Sequence, residues 1–149
     1  MQTYLPLITR YAEHNSLPVD FVSNVITAES GGDPRAVSRV GAKGLMQIMP
    51  GAEADVLAAT GREKGDLFDP EYNIAIGTAY LRMLADRFDG DAYLVLSAYN
   101  MGPTRVAKLR QQYPDLSSRD LVETHAFNET RRYCRKILKD RPLQLTAGP

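Results

Sequence analysis

Glu29 closes the stretch Asn24-Val25-Ile26-Thr27-Ala28-Glu29-Ser30-Gly31-Gly32. Phe21, Val22, Val25 and Ile26 precede it at helical spacing. Counted from Val22, the apolar positions are i, i+3 and i+4, and Glu29 takes i+7. The acid therefore shares the stripe that a helix turns inward. Gly31-Gly32 is a stop signal, which puts Glu29 in the last turn, where free carbonyls carry partial negative charge. Partial desolvation and the helix terminus both disfavour the ionised form, so a raised pKa is expected. A carboxyl that keeps its proton near neutral pH suits general-acid catalysis. The competing reading lets the flexible stem carry the carboxylate out to solvent.

The other chemistry-bearing residues are sparse. Cys134 is the only cysteine, which excludes an internal disulfide and a cysteine-based metal site. His14 and His125 are isolated and lack metal-ligand spacing. Asp33-Pro34 reads as an N-cap followed by proline at N1, so Asp33 is a cap rather than a second catalytic carboxylate. Gln47 is a lone amide among Met46, Ile48 and Met49; it needs a partner if buried and none if it lies on an exposed edge. Tyr99 and Asn100 stand where an apolar segment meets the Gly102-Pro103 stop, a place where polar groups emerge from a core.

The elements that must hold these residues are all read as helices. A first helix spans 5–14, with Asn15-Ser16 breaking it and Ser16 capping a second that runs to Glu29. A short helical turn is expected from Asp33 through Val37, and another helix from Pro50 to about Ala59, ending at Thr60-Gly61. Residues 62–68 read as a loop, after which Asp69-Pro70 repeats the cap-then-proline signal. In the helix that follows, Ile74, Gly77, Leu81, Leu84 and Phe88 form one stripe. Gly77 on that stripe predicts close packing against a neighbour. Residues 93–99 form a short central helix that is apolar all round, entered through Asp89-Gly90-Asp91. Helices at 104–112 and 128–138 follow, the latter capped by Asn128 and turning Tyr133, Cys134, Ile137 and Leu138 inward. Residues 111–118 read as a loop, and from Lys139 onward a loose tail is expected. No repeat, low-complexity segment or convincing strand is read.

With 149 residues, 44% hydrophobic and 24% charged, the chain is predicted to be a single, mainly α domain of ordinary composition. Lys+Arg and Asp+Glu are 18 each, which gives no electrostatic case for nucleic acid or an anionic membrane surface. No apolar run of about 18 residues occurs, so no transmembrane helix is expected. Met1-Gln2-Thr3-Tyr4 shows no basic n-region ahead of an apolar stretch, so no signal peptide is read.

Taken in order, four sets of residues align with one family. They are Glu29-Ser30; Ser38 with Gly44-Leu45-Met46-Gln47-Ile48-Met49-Pro50; Ala98-Tyr99-Asn100 with Gly102 and Arg105-Val106; and Glu129-Thr130-Arg131 with Tyr133. Together they resemble the soluble lytic transglycosylase catalytic domain over about residues 17–139. The helix from Asn73 through Gly77 to Tyr80-Leu81 is similar to that family's linking helix. The resemblance implies an all-α or mainly α, lysozyme-like fold. It implies non-hydrolytic cleavage of the β-1,4 bond between N-acetylmuramic acid and N-acetylglucosamine, leaving 1,6-anhydromuramoyl ends, with no cofactor and no metal. Glu29 would be acid and then base. Ser30 would bind substrate, and Ser38 and Gln47 would bond near the carboxylate and the sugar. Met46 and Met49 would line the cleft, Tyr99 and Asn100 would flank the carboxylate, and Glu129 and Tyr133 would close the site. Gly31-Gly32-Asp33-Pro34 departs from the family's commoner wording, in which a bulky residue and an asparagine often follow the serine. There is no tryptophan, so ring stacking falls to tyrosine or phenylalanine. The implied partner is the peptidoglycan glycan strand, met by a monomer in the periplasm or cell envelope. A secretion-system-associated wall enzyme, a phage-borne lysin and a periplasmic domain all accord with it. Hydrolysis of the same bond by a goose-type or related lysozyme, and a non-catalytic peptidoglycan-binding module, are the alternatives.

Overall fold

The computed structural model describes residues 2–148. Met1 and Pro149, which the readings of the N-terminus and the tail included, lie outside them. Among the described residues a 3-10 turn, Gln2–Tyr4, precedes eight α-helices. These are α1 Leu5–His14, α2 Val19–Ser30, α3 Pro50–Thr60, α4 Pro70–Arg87, α5 Ala92–Met101, α6 Pro103–Gln112, α7 Ser118–His125 and α8 Asn128–Leu138. Strand pairing among these residues is limited to isolated bridges, so the fold is all-α as expected. The chain forms two compact units, residues 2–82 and 83–148, with the boundary inside α4.

In the first unit α1 packs on α2, and Phe21, Val22, Val25 and Ile26 are all buried, as their spacing predicts. Ser16 does not cap α2. It sits at φ 54 and ends α1: its N–H bonds to Glu13 O at 3.1 Å, and Leu17 N–H bonds to Ala12 O at 2.8 Å. That is the paired arrangement which satisfies the last carbonyls of a helix. The helical turn expected at 33–37 is also absent. Asp33 Oδ1 accepts from Arg35 N at 2.9 Å in a local turn, and Val37 pairs instead with Lys43. The aspartate side chain gives the backbone an alternative to helix there.

Residues 36–48 are held in a fixed loop. Lys43 bridges both Val37 and Ile48, and Gly44 N–H bonds to Ala36 O at 2.8 Å. Asn73, in the first turns of α4, is 0% exposed. Its Oδ1 accepts from Met46 N at 2.8 Å, and its Nδ2 donates to Lys43 O at 2.9 Å and Leu67 O at 2.8 Å. Gly44 lies against this amide at φ 79, and a Cβ there would fall 3.0 Å from Asn73 Cγ. One turn further along α4, a Cβ on Gly77 would meet Met46 Cε at 2.8 Å and Met46 Cβ at 2.9 Å. The glycine on the buried stripe thus admits a methionine, which is the close packing its position predicts. Asp69 caps α4, accepting from Tyr72 N at 3.0 Å.

In the second unit α5 is the central element. Ala92 through Ala98 are all buried, and α6, α7 and α8 pack around them. Asp91 caps it, accepting from Leu94 N at 3.3 Å. Helix α7 has no counterpart in the sequence reading; Ser117 caps it, accepting from Asp120 N at 3.1 Å. The cap of α8 falls one residue earlier than expected, at Phe127, and Asn128 is the first helical residue. Tyr133, Cys134, Ile137 and Leu138 face inward as predicted. Burial pushes the Cys134 thiol up to about 11, with a hydrogen bond to Ser97 working the other way. The tail is not loose at 143–145. Ala92 N–H bonds to Leu143 O at 3.2 Å, Leu145 N–H bonds to Gly90 O at 2.7 Å, and Leu145 is buried.

Two substitutions test the anchoring of the loop to α4. Gly77→Ala gains helix propensity of about 1 kcal/mol, but overpacking against Met46 costs about 1–3 kcal/mol. A lower Tm in thermal denaturation is expected; a higher one would show that the methionine yields freely. Asn73→Ala takes from Met46 N–H and Leu67 O the partner that amide gives them, at about 1–3 kcal/mol for each group left buried, while Lys43 O keeps its bond from Ile48 N at 3.0 Å. The expected outcome is a Tm lower by about 10 °C, with loss of hydrogen-exchange protection at the Met46 amide.

Candidate functional site

Glu29 is half-buried, one residue before the end of α2. The helix stops because Gly31 takes the left-handed conformation, φ 63, and its N–H bonds back to Thr27 O at 3.1 Å. Ser30 secures the exit. Its hydroxyl donates to Ile26 O at 3.3 Å and accepts from Gly32 N at 3.1 Å. The carboxyl is therefore presented from a fixed helix end, with the inward stripe of Val22, Val25 and Ile26 leading up to it.

The loop residues are held by their own bonds. Ser38 Oγ accepts from Ala42 N at 3.0 Å, and Ser38 N–H bonds to Ala42 O at 2.9 Å, closing the 38–42 turn. Gln47 is half-buried at φ 51, in the left-handed region that disfavours a side chain. Its Nε2 donates to Ala36 O at 3.1 Å and Gly44 O at 3.0 Å. The two methionines expected together are in different settings. Met49 is 39% exposed, just ahead of α3, whereas Met46 is 0% exposed. Met46 presents no surface to a ligand and acts as packing behind the loop, because the space over Gly77 receives its side chain.

In the second unit Tyr99 and Asn100 occupy the last turn of α5, and both are half-buried. Gly102, at φ 97, ends the helix with its N–H on Ala98 O at 2.9 Å. Glu129 and Tyr133 lie on α8, the first exposed in the opening turn and the second 8% exposed. An acid in a first turn is favoured by the helix dipole. Thr130, between them, is 0% exposed, and its hydroxyl donates to Asn100 Oδ1 at 2.7 Å. Asn73 and Thr130 are the residues whose importance the sequence reading missed. Both were within quoted motifs; the available signal was a polar residue next to apolar positions on an inward helix face.

Among the described residues no group of three or more His, Cys, Asp or Glu could hold a metal ion, and no helix is long and apolar enough to cross a membrane. A buried carboxylate in the first unit, Glu53, accepts from Tyr72 Oη at 2.6 Å. Burial and then that bond push the Tyr72 phenol above its ordinary value, so it stays a donor. Glu53 is thereby occupied by a structural bond.

The chain is 35% identical over 140 residues to the soluble lytic murein transglycosylase of Escherichia coli, a match that covers 91% of this chain and 22% of that protein. It superposes on the crystal structure of the 70 kDa soluble lytic transglycosylase from Escherichia coli with a TM-score of 0.85 and 34% identity, over 91% of this chain and 23% of the other. A lytic transglycosylase Slt from Pseudomonas aeruginosa, solved as an inactive mutant with glutamine in place of a glutamate, gives a TM-score of 0.83 and 32% identity. That match covers 89% of this chain and 22% of the other. The chain thus spans about a fifth of the length of these relatives. The transglycosylase SLT domain model matches residues 6–122, from α1 into α7, and with that match over most of its length the chain belongs to the transglycosylase SLT domain family.

Proposed function

We propose that the chain is a peptidoglycan lytic transglycosylase, cleaving the β-1,4 bond between N-acetylmuramic acid and N-acetylglucosamine with Glu29 as its single acid and base. The observation that carries this reading is the half-buried Glu29 at the glycine-stopped end of α2, in a chain of this family. Two-carboxylate glycosidases hold their acids about 5–5.5 Å or 6.5–9.5 Å apart, whereas a substrate-assisted route needs only one. In the proposed sequence Glu29 gives its proton to the glycosidic oxygen, and the N-acetylglucosamine side departs with that proton. The acetamido oxygen of the muramic residue bonds to the anomeric carbon. The Glu29 carboxylate then takes the proton of the sugar's own 6-hydroxyl, whose oxygen displaces the acetamido group and closes the 1,6-anhydro ring. No water is consumed, and Glu29 ends protonated as it began.

Ser30, Ser38, Gln47, Met49, Tyr99, Asn100, Glu129 and Tyr133 are assigned to binding the glycan, with Met46 as packing behind the loop. The bonded turn at 38–42 and the Asn73 anchor support this, since a preformed loop loses little freedom on meeting a sugar. In this reading the chain works in the cell envelope, as a monomer on glycan strands.

Glu29→Gln keeps the shape of the side chain and removes the titratable proton. Clearance of purified sacculi is expected to fall by about 100-fold or more, with an unchanged thermal transition. A verified mutant that clears at near wild-type rate would remove Glu29 from the mechanism. The released muropeptides decide the chemistry. Anhydromuramoyl ends, about 18 Da lighter than hydrolysed ends, are expected by mass spectrometry. Mainly reducing ends would make the enzyme a lysozyme instead.

A further inference from the structure

We propose that Thr130 is a positioning residue, which fixes the amide of Asn100 with its oxygen turned inward and its NH2 turned toward the glycan. This rests on the transglycosylase reading and on the assignment of Asn100 to the glycan. Thr130 stands in the first turn of α8, fully buried, and Asn100 in the last turn of α5, half-buried. Their sequence separation is 30 residues, so the bond joins two of the motif sets directly. The oxygen–oxygen distance is 2.7 Å, the length of an O–H···O bond. A hydroxyl donating to Oδ1 leaves Nδ2 as the group that Asn100 can offer elsewhere. An asparagine amide that can turn over offers donor and acceptor alternately; the Thr130 hydroxyl, as donor to Oδ1, holds the orientation that keeps the oxygen inward. The α8 backbone carries the hydroxyl, and the α5–α8 packing sets its distance from the amide. Glu129 and Tyr133 share α8 with Thr130, so the same element that presents them also orients Asn100.

Three variants of the 149-residue chain test this on sacculi, with turnover and Tm measured together. Thr130→Val keeps the shape and removes the hydroxyl. Turnover is expected to fall by about 3- to 10-fold, the range of one ordinary hydrogen bond. Thr130→Ser restores the hydroxyl and is expected to recover turnover to within about 2-fold of wild type. In an Asn100→Ala background Thr130→Val is expected to cost no further turnover, because its effect runs through the missing amide. Unimpaired turnover in Thr130→Val, or an equal loss in the Asn100→Ala background, overturns the proposal. Should Thr130→Val fail to fold, Asn100→Asp decides. It can still accept from Thr130 but offers no outward NH2, so retained turnover overturns the proposal and lost turnover supports it. A wild-type chain that releases no anhydromuropeptides overturns the function reading and this proposal with it. An active wild type with an unimpaired valine variant overturns this proposal alone.

Discussion

The first unit depends on one side-chain amide. Asn73 is fully buried and answers three backbone groups, at Lys43, Met46 and Leu67. Without it, Met46 N–H and Leu67 O would lose the partner it gives them, at about 1–3 kcal/mol for each group left buried. The other loop features follow from this anchor. Gly44 must be glycine because the amide occupies the space a Cβ would need, and Gly77 must be small so that Met46 can enter behind the loop. The loop that carries Ser38 and Gln47 is therefore as rigid as the helix it is tied to.

That rigidity holds Gln47 in the left-handed region, where a residue with a side chain costs about 1 kcal/mol or more. Its amide recovers part of that cost through bonds to Ala36 and Gly44, both within the same loop. The two inward glutamates show two ways of accommodating an acid. Glu53 is 6% exposed and held by the Tyr72 phenol, an arrangement suited to permanence. Glu29 is half-buried at the glycine-stopped end of a helix.

The helices were largely legible because their signals are local. The apolar spacing of α2 and α8, the aspartate caps of α4 and α5, and the all-apolar run of α5 each express themselves within a few residues. The misreadings share a different cause. Ser16 is a good cap by type, but the end of α1 uses its left-handed backbone first. Asp33 bonds to its own turn and forestalls the helix after it. Helix α7 has only two buried apolar residues, Leu121 and Val122, too few to form a visible stripe. Leu145 lies in a segment rich in turn-formers, and its docking on Gly90 follows from a partner 55 residues away in the chain. The candidate residues stood out as motifs, but their separate settings in the structure did not. Met46 and Met49 are adjacent in motif and opposite in exposure, and Asn73 and Thr130 act through bonds of long sequence separation.

The sealed thiol of Cys134 has a practical consequence. The nucleophile in alkylation is the thiolate, and a buried thiol held near 11 supplies almost none at neutral pH. With no other cysteine in the chain, a single cysteine introduced on the surface would be the one reactive sulfur of the folded protein. A fluorophore or spin label could then be attached at a chosen point without first removing the native residue, leaving the packing of α5 and α8 undisturbed while the label reports on motion.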